Sequence, residues 1–155
     1  MKELTEKELI NKAEAYCSSV ERCPSDMEMK LKGWGASPEV TAAVMSHLFK
    51  EKYLDTIRFC RAYVRDKYRF NQWGRVKIAQ SLRIKGLSSD EINAGLEEID
   101  EDEYCGILNR LLTQKQKTIK ASSDYERDTK LIRFAVGRGF TVQEVMRFIK
   151  SDIQL

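Results

Sequence analysis

Apolar residues recur along this chain every three or four positions. Ile57, Cys60, Val64 and Tyr68 fall on one stripe of a helix over 54–69, and Ile78 and Leu82 mark the buried face of the next. No long stretch alternates with period two, and no Asn-Gly or Asp-Gly pair marks a hairpin. Helix starts, by contrast, are frequent. Thr5-x-x-Glu8, Ser25-x-x-Glu28, Ser88-x-x-Glu91 and Thr141-x-x-Glu144 have the form in which two side chains satisfy free backbone N–H groups. Ser37-Pro38-Glu39 adds a start with proline at the first helical position, where its missing N–H costs nothing. The pattern predicts an all-α protein.

It also repeats. "LRIKGLSSDEINAGLEEI" (82–99) matches "AVGRGFTVQEVMRFIKSD" (135–152) at a constant offset, with Lys85-Gly86-Leu87 on Arg138-Gly139-Phe140 and Glu91-Ile92 on Glu144-Val145. Each reads as a helix ended by glycine, an apolar residue, a Ser/Thr cap and a second helix, so Gly86 and Gly139 are expected at positive φ. "LKGWGASPEVTAAVMSHL" (31–48) is a looser copy, in which Gly35 precedes Val40 by one residue fewer than Gly86 precedes Ile92. Further helices precede the copies, over Glu3–Ser18, Leu54–Tyr68 and Glu101–Gln116. The expectation is three tandem three-helix, helix-turn-helix-like repeats over 1–53, 54–100 and 101–155, stacked in an elongated, curved arrangement.

Charge is distributed unevenly over the 155 residues. The whole chain carries +3, yet 54–88 alone carries +7, with 9 Lys/Arg against 2 Asp/Glu, and 89–105 carries −8 with no cation at all. On the helix over 54–69, Arg58, Arg61, Arg65 and Arg69 share a stripe about 16 Å long beside the apolar one. Arg75 and Lys77 open the following helix, where cations oppose the dipole and favour an anion nearby, and Lys85 closes it. From charge alone two readings remain open. The block is a solvated face paired with the acidic run "EEIDEDE" (97–103), or it is a surface for an external partner. That acidic run also suits the start of a helix. Tyr63 and Tyr68 are expected to pack, and Phe70 and Trp73 to lie between helices.

The remaining chemistry is sparse. Cys17, Cys23, Cys60 and Cys105 have no C-x-x-C spacing and His47 is the single histidine, so neither a zinc site nor a disulfide framework is expected. The cysteines read as reduced, mostly buried thiols. His47 has no nucleophile–base setting, and the acids read as helix starts and ion-pair partners, so no enzyme activity and no cofactor are expected. The opening residues are charged and no apolar run is long enough to span a bilayer, which predicts no signal peptide, no membrane anchor and a cytoplasmic protein.

One resemblance sharpens this. "KEKYLDTIRFCRAYVRDKY…WGRVKIAQSLRIKGLSSDEI" resembles the middle of RecX proteins, on Tyr53, Leu54, Asp55, Arg58, Phe59, Tyr63, Val64, Arg65, Gly74, Ile78, Leu82, Lys85 and Gly86. "LIRFAVGRGFTVQEV" resembles the family's closing Arg-Gly-Phe-Ser motif, on Arg138, Gly139, Phe140 and Thr141, and Ser25 and Glu28 match its first repeat. The chain departs from the pattern at Thr56 (an aspartate there), Arg75 (a proline) and Cys23 (an arginine). The resemblance implies a monomeric modulator of the RecA recombinase in homologous recombination, DNA repair and the SOS response. Such a protein lies along the RecA–single-stranded DNA filament and inhibits strand exchange and ATP hydrolysis. The expected contacts are Arg58, Arg61, Arg65, Arg69, Arg75 and Lys77, with Lys85 next, the four stripe arginines protruding together without carboxylates of their own chain to neutralise them. The alternative is a nucleic-acid-binding helical module that works without RecA.

Overall fold

A computed structural model describes residues 3–153, with the backbone alone for 151–153, so the outermost residues of the 1–53 and 101–155 repeats lie outside the described residues. The described residues form nine α-helices and no strand. They are α1 (Glu6–Ser19), α2 (Pro24–Gly33), α3 (Pro38–Lys50), α4 (Thr56–Arg69), α5 (Arg75–Ile84), α6 (Ser89–Leu96), α7 (Glu101–Thr118), α8 (Asp124–Gly137) and α9 (Val142–Ile153). They fall into three triplets of like order, α1–α3, α4–α6 and α7–α9.

The caps are those the sequence suggests, with one exception. Thr5, Ser37 and Ser88 each accept a hydrogen bond from the backbone N–H three residues on, and Glu91 answers Ser88 to close the box. Thr141 and Glu144 exchange the same pair of bonds. Ser25 does not cap. The proline beside it sits at the first helical position, so α2 starts two residues earlier with Cys23 as its N-cap. The freed Ser25 hydroxyl donates instead to the Lys85 carbonyl at 2.9 Å.

Gly35, Gly86 and Gly139 all have φ near +90 to +100°, the left-handed turn that ends each triplet's second helix. Counting from those glycines, the first copy is in register after all. Ser37, Ser88 and Thr141 each follow their glycine by two residues, and the buried position that Ile92 and Val145 fill is held by Thr41, not Val40. The apparent one-residue slip is a polar substitution. Thr41 is 6% exposed and its hydroxyl has no hydrogen-bond partner.

Buried side chains form two separate clusters. Leu9, Ala13, Cys17, Met27, Leu31, Val44, Met45, Leu48 and Leu54 make the core of the first triplet. A second cluster runs without a break through the other two, from Phe59, Cys60, Val64 and Tyr68 to Tyr104, Leu112, Phe140 and Val145, and takes in Cys23 from the first. The apolar stripe on α4 is therefore placed correctly at Cys60, Val64 and Tyr68. Ile57 is the correction. It is 39% exposed, because Phe59 supplies the buried face at that end of the helix.

Within the second triplet, α4 packs chiefly on α6. Gly95 lets the two backbones approach, since a Cβ there would come within 2.8 Å of the Cys60 Cβ. Thr56 and Ser88 both hydrogen-bond the Glu91 carboxylate, which lowers its pKa. Burial pushes the Cys60 thiol up to about 11, so it stays protonated in the core. Cys17, Cys23 and Cys60 are buried free thiols, whereas Cys105 is exposed.

Candidate polyanion-binding surface

Four arginines do line α4, but each faces a carboxylate. Arg58 pairs with Glu21 at 2.5 Å and donates to the Lys52 and Tyr53 carbonyls. Arg61 and Arg65 share Glu98, at 3.6 and 4.0 Å. Arg69 forms a two-pronged contact with Glu103, at 2.7 and 3.2 Å, which strengthens its hold on the proton. The expectation of four unneutralised guanidiniums is thus corrected, because helix packing brings acids of neighbouring elements against the row. Asp55 is the N-cap of α4, its carboxylate accepting from the Arg58 N–H. The arginine side chains nevertheless stay 43–48% exposed. Pairs so open to water add little stability and exchange readily for another anion.

The start of α5 also differs from expectation. An anion site there needs free backbone N–H groups. Gly74 N–H donates to the Arg138 carbonyl at 2.8 Å, Arg75 N–H to the Tyr104 hydroxyl at 3.0 Å, and Val76 N–H to the Gly139 carbonyl at 3.0 Å. The Arg75 guanidinium lies 4.3 Å from the centre of the Tyr104 ring and pairs with Glu101 and, at 3.3 Å, with Glu144. The N–H groups of Gly74, Arg75 and Val76 and the Arg75 charge are thus used internally. A proline at position 75, as in the RecX pattern, has no N–H to give to Tyr104.

The seven candidate residues therefore sort by location. Arg58 and Lys85 reach the first triplet, Lys85 through Asp26 at 3.2 Å. Arg69 and Arg75 reach the third. Arg61 and Arg65 stay within the second, beside an open depression formed with Asp55, Ile57, Arg58 and Glu98. Lys77 meets no carboxylate among the described residues and lies 4.5 Å over the Trp73 ring, where Lys67 also sits at 4.9 Å.

Sequence reasoning missed how the cations divide. The acidic run was visible, but which arginine meets which acid depends on how the triplets dock. It also missed the Gly74–Gly139 contact. A Cβ on Gly74 would overlap the Gly139 carbonyl group and the Phe140 nitrogen, and one on Gly139 would overlap Lys77. A glycine already explained by its turn gives no further signal in a single sequence.

The architecture is that of an all-helical protein built from successive three-helix units, with an arginine-lined helix in the middle unit that meets single carboxylates of its neighbours. A family model for the second three-helix domain of RecX matches residues 58–96. A regulatory protein RecX of Pelodictyon phaeoclathratiforme is 30% identical over 125 residues, which cover 81% of this chain and 76% of that one. One of Lactobacillus johnsonii is 27% identical over 96% of this chain, which spans only 58% of that relative's length. The crystal structure of RecX from Lactobacillus salivarius superposes with a TM-score of 0.86 over 97% of both chains at 16% identity, a likeness of fold. This chain belongs to the RecX family of regulatory proteins.

Proposed function

We propose that this protein regulates RecA. Acting as a monomer in the cytoplasm, it binds the RecA–single-stranded DNA filament and inhibits strand exchange and the coupled ATP hydrolysis. The units 1–53, 54–100 and 101–155 serve as successive contact modules along the filament. The observation that carries this reading is membership of the RecX family, supported by a likeness spanning most of the chain. The surface geometry refines it. Arg61, Arg65 and Lys77 are the primary contacts, being the least engaged by the other triplets. Arg58, Arg69, Arg75 and Lys85 contribute charge at the edges while also joining the triplets. The test is a RecA strand-exchange and ATPase assay on single-stranded DNA with the protein at substoichiometric ratios. Both activities are expected to fall, and Arg61→Ala with Arg65→Ala to restore them in part. Undiminished activity with the unaltered protein sinks the proposal.

A further inference from the structure

The third triplet holds a cavity that the arginine row does not reach. Helices α7 and α9 both pack chiefly on α8 and leave a cleft between them. On α7, Glu101, Cys105, Leu108 and Asn109 recur at spacings of three and four, which puts them on one face. On α9, Glu144, Arg147 and Phe148 do the same. The two faces enclose about 170 Å³, and Arg75 of α5 completes the lining.

That lining is chemically divided. Leu108 is buried and Phe148 packs against the core shared by the second and third triplets, so both are fixed apolar surface. The charged groups are two of each sign, Arg75 and Arg147 against Glu101 and Glu144. They are not equally engaged. Glu144 is largely buried, and its oxygens accept from Arg75, the Thr141 N–H and the Tyr104 hydroxyl. Arg75 in turn is bracketed by Glu144 and Glu101. Two charges are left for a ligand. Glu101 is 70% exposed and gives Arg75 only one of its oxygens. Arg147 forms no ion pair among the described residues, and the exposed Asn109 amide on the facing helix has no hydrogen-bond partner among them either.

We propose that this cavity binds a small zwitterion of the free-amino-acid class. Its carboxylate meets Arg147 and Asn109, its ammonium meets Glu101, and its apolar side chain lies against Leu108 and Phe148. The charge balance selects this class. A simple anion would find Arg147 but also two carboxylates, and a simple cation would find the converse, whereas a ligand with one charge of each sign complements both. Size agrees, because about 170 Å³ is well below the roughly 300 Å³ at which drug-sized pockets begin. Arg75 makes the site a property of this chain. It stands where the RecX pattern has proline, and its ion pair holds Glu101 at the cavity. A bound zwitterion links α7 to α9 beside the residue that joins the second and third triplets, so occupancy steadies that junction.

The experiment uses the whole protein with L-leucine as the probe. Cys105 lies in the lining and is the one exposed thiol of the four, so its alkylation by iodoacetamide, read by mass spectrometry, reports occupancy. L-Leucine is expected to slow that reaction severalfold and to bind saturably by calorimetry. Three analogues each lack one part: 4-methylpentanoate the ammonium, isopentylamine the carboxylate and glycine the side chain. Each is expected to bind about tenfold more weakly or worse. Arg147→Gln should cut the affinity for L-leucine about tenfold and remove its advantage over isopentylamine. Glu101→Gln should remove the advantage over 4-methylpentanoate instead. Cys105→Phe fills the cavity and should abolish binding, with circular dichroism confirming that each variant is folded. Alkylation unchanged by saturating L-leucine, equal binding of glycine or of either singly charged analogue, or undiminished binding to Arg147→Gln each overturns the inference. The assay contains no RecA, so its failure leaves the regulatory proposal standing, and the converse also holds.

Discussion

The two junctions between triplets are built in opposite ways. Between the second and third, backbone meets backbone. Gly74 and Gly139 touch, two main-chain hydrogen bonds cross, and the Arg138 guanidinium donates to the Asn71 and Gln72 carbonyls. Tyr68, Tyr104 and Phe140 then carry one apolar core across the boundary, with ring centroids 6.3 and 5.2 Å apart. Between the first and second, the contact is a thin polar rim, made of Ser25 and Cys23 on the Lys85 carbonyl, Glu21 with Arg58, and Asp26 with Lys85. Cys23 enters the neighbouring core and Leu54, at the boundary, enters the first, while the two cores otherwise stay separate. Hydrophobic burial is the dominant stabilising term, whereas exposed ion pairs contribute little. The second and third triplets should therefore unfold together and the first apart from them.

The sharpest way to break that comparison is to disturb the glycine contact. Gly86 and Gly139 have nearly the same φ, +91 and +100°, but a Cβ on Gly86 enters open space whereas one on Gly139 strikes backbone and the Lys77 Cβ. Gly86→Ala is expected to cost about 1 kcal/mol, the left-handed penalty alone. Gly139→Ala is expected to cost about 4 kcal/mol, because overpacking against main chain is added to it. Thermal unfolding by circular dichroism should separate the melting points by several degrees. Equal shifts would mean that the close approach is not what holds the second junction.

A cavity in the first core tests the other side. Met27 is fully buried there, and Met27→Ala is expected to cost about 3 kcal/mol. If the cores are separate, the loss falls on α1–α3. Trp34 and Trp73 report the two regions independently, so single-tryptophan versions should melt at different temperatures in the Met27→Ala background. Coincident transitions would show that the polar rim couples the triplets more tightly than its exposure suggests.

Thr41→Val is the smaller, opposite change. It replaces a buried hydroxyl without a partner by a methyl of similar size. It should stabilise the first triplet by about 1 kcal/mol, seen as a higher midpoint in urea at unchanged slope. No gain would mean that the hydroxyl finds a partner in solution.

The fold was legible in the sequence because its signals are local. Caps, glycine turns and three- to fourfold apolar spacing each depend on a few neighbouring residues, and they located the helices without any knowledge of distant contacts. The misreadings were places where a distant contact decides. Ser25 lost its capping role to the adjacent proline and found a carbonyl some sixty residues away. Thr41 read as a slipped register because a polar residue occupies a core position. The arginine row was legible as a row, since helical periodicity alone places it. Its partners were not, because Glu21, Glu98 and Glu103 come from three different segments and meet α4 only once the triplets dock.

Glu98 offers the finest test, since it is the acid that stays within the second triplet. It is the one carboxylate shared by Arg61 and Arg65, at long range and without a well-formed hydrogen bond. Glu98→Gln should change stability by less than about 0.5 kcal/mol, leaving the melting point within a degree or two. It also releases two adjacent guanidiniums on the surface proposed to meet RecA. Inhibition of strand exchange should then require severalfold less protein, an advantage that shrinks as salt screens the exposed charges. Glu103→Gln raises the net charge by the same amount, but the Arg69 that it frees lies at the edge of the surface, where it also joins the second and third triplets. A gain confined to Glu98→Gln would therefore locate the contact at Arg61 and Arg65, whereas equal gains from both would reduce it to net charge.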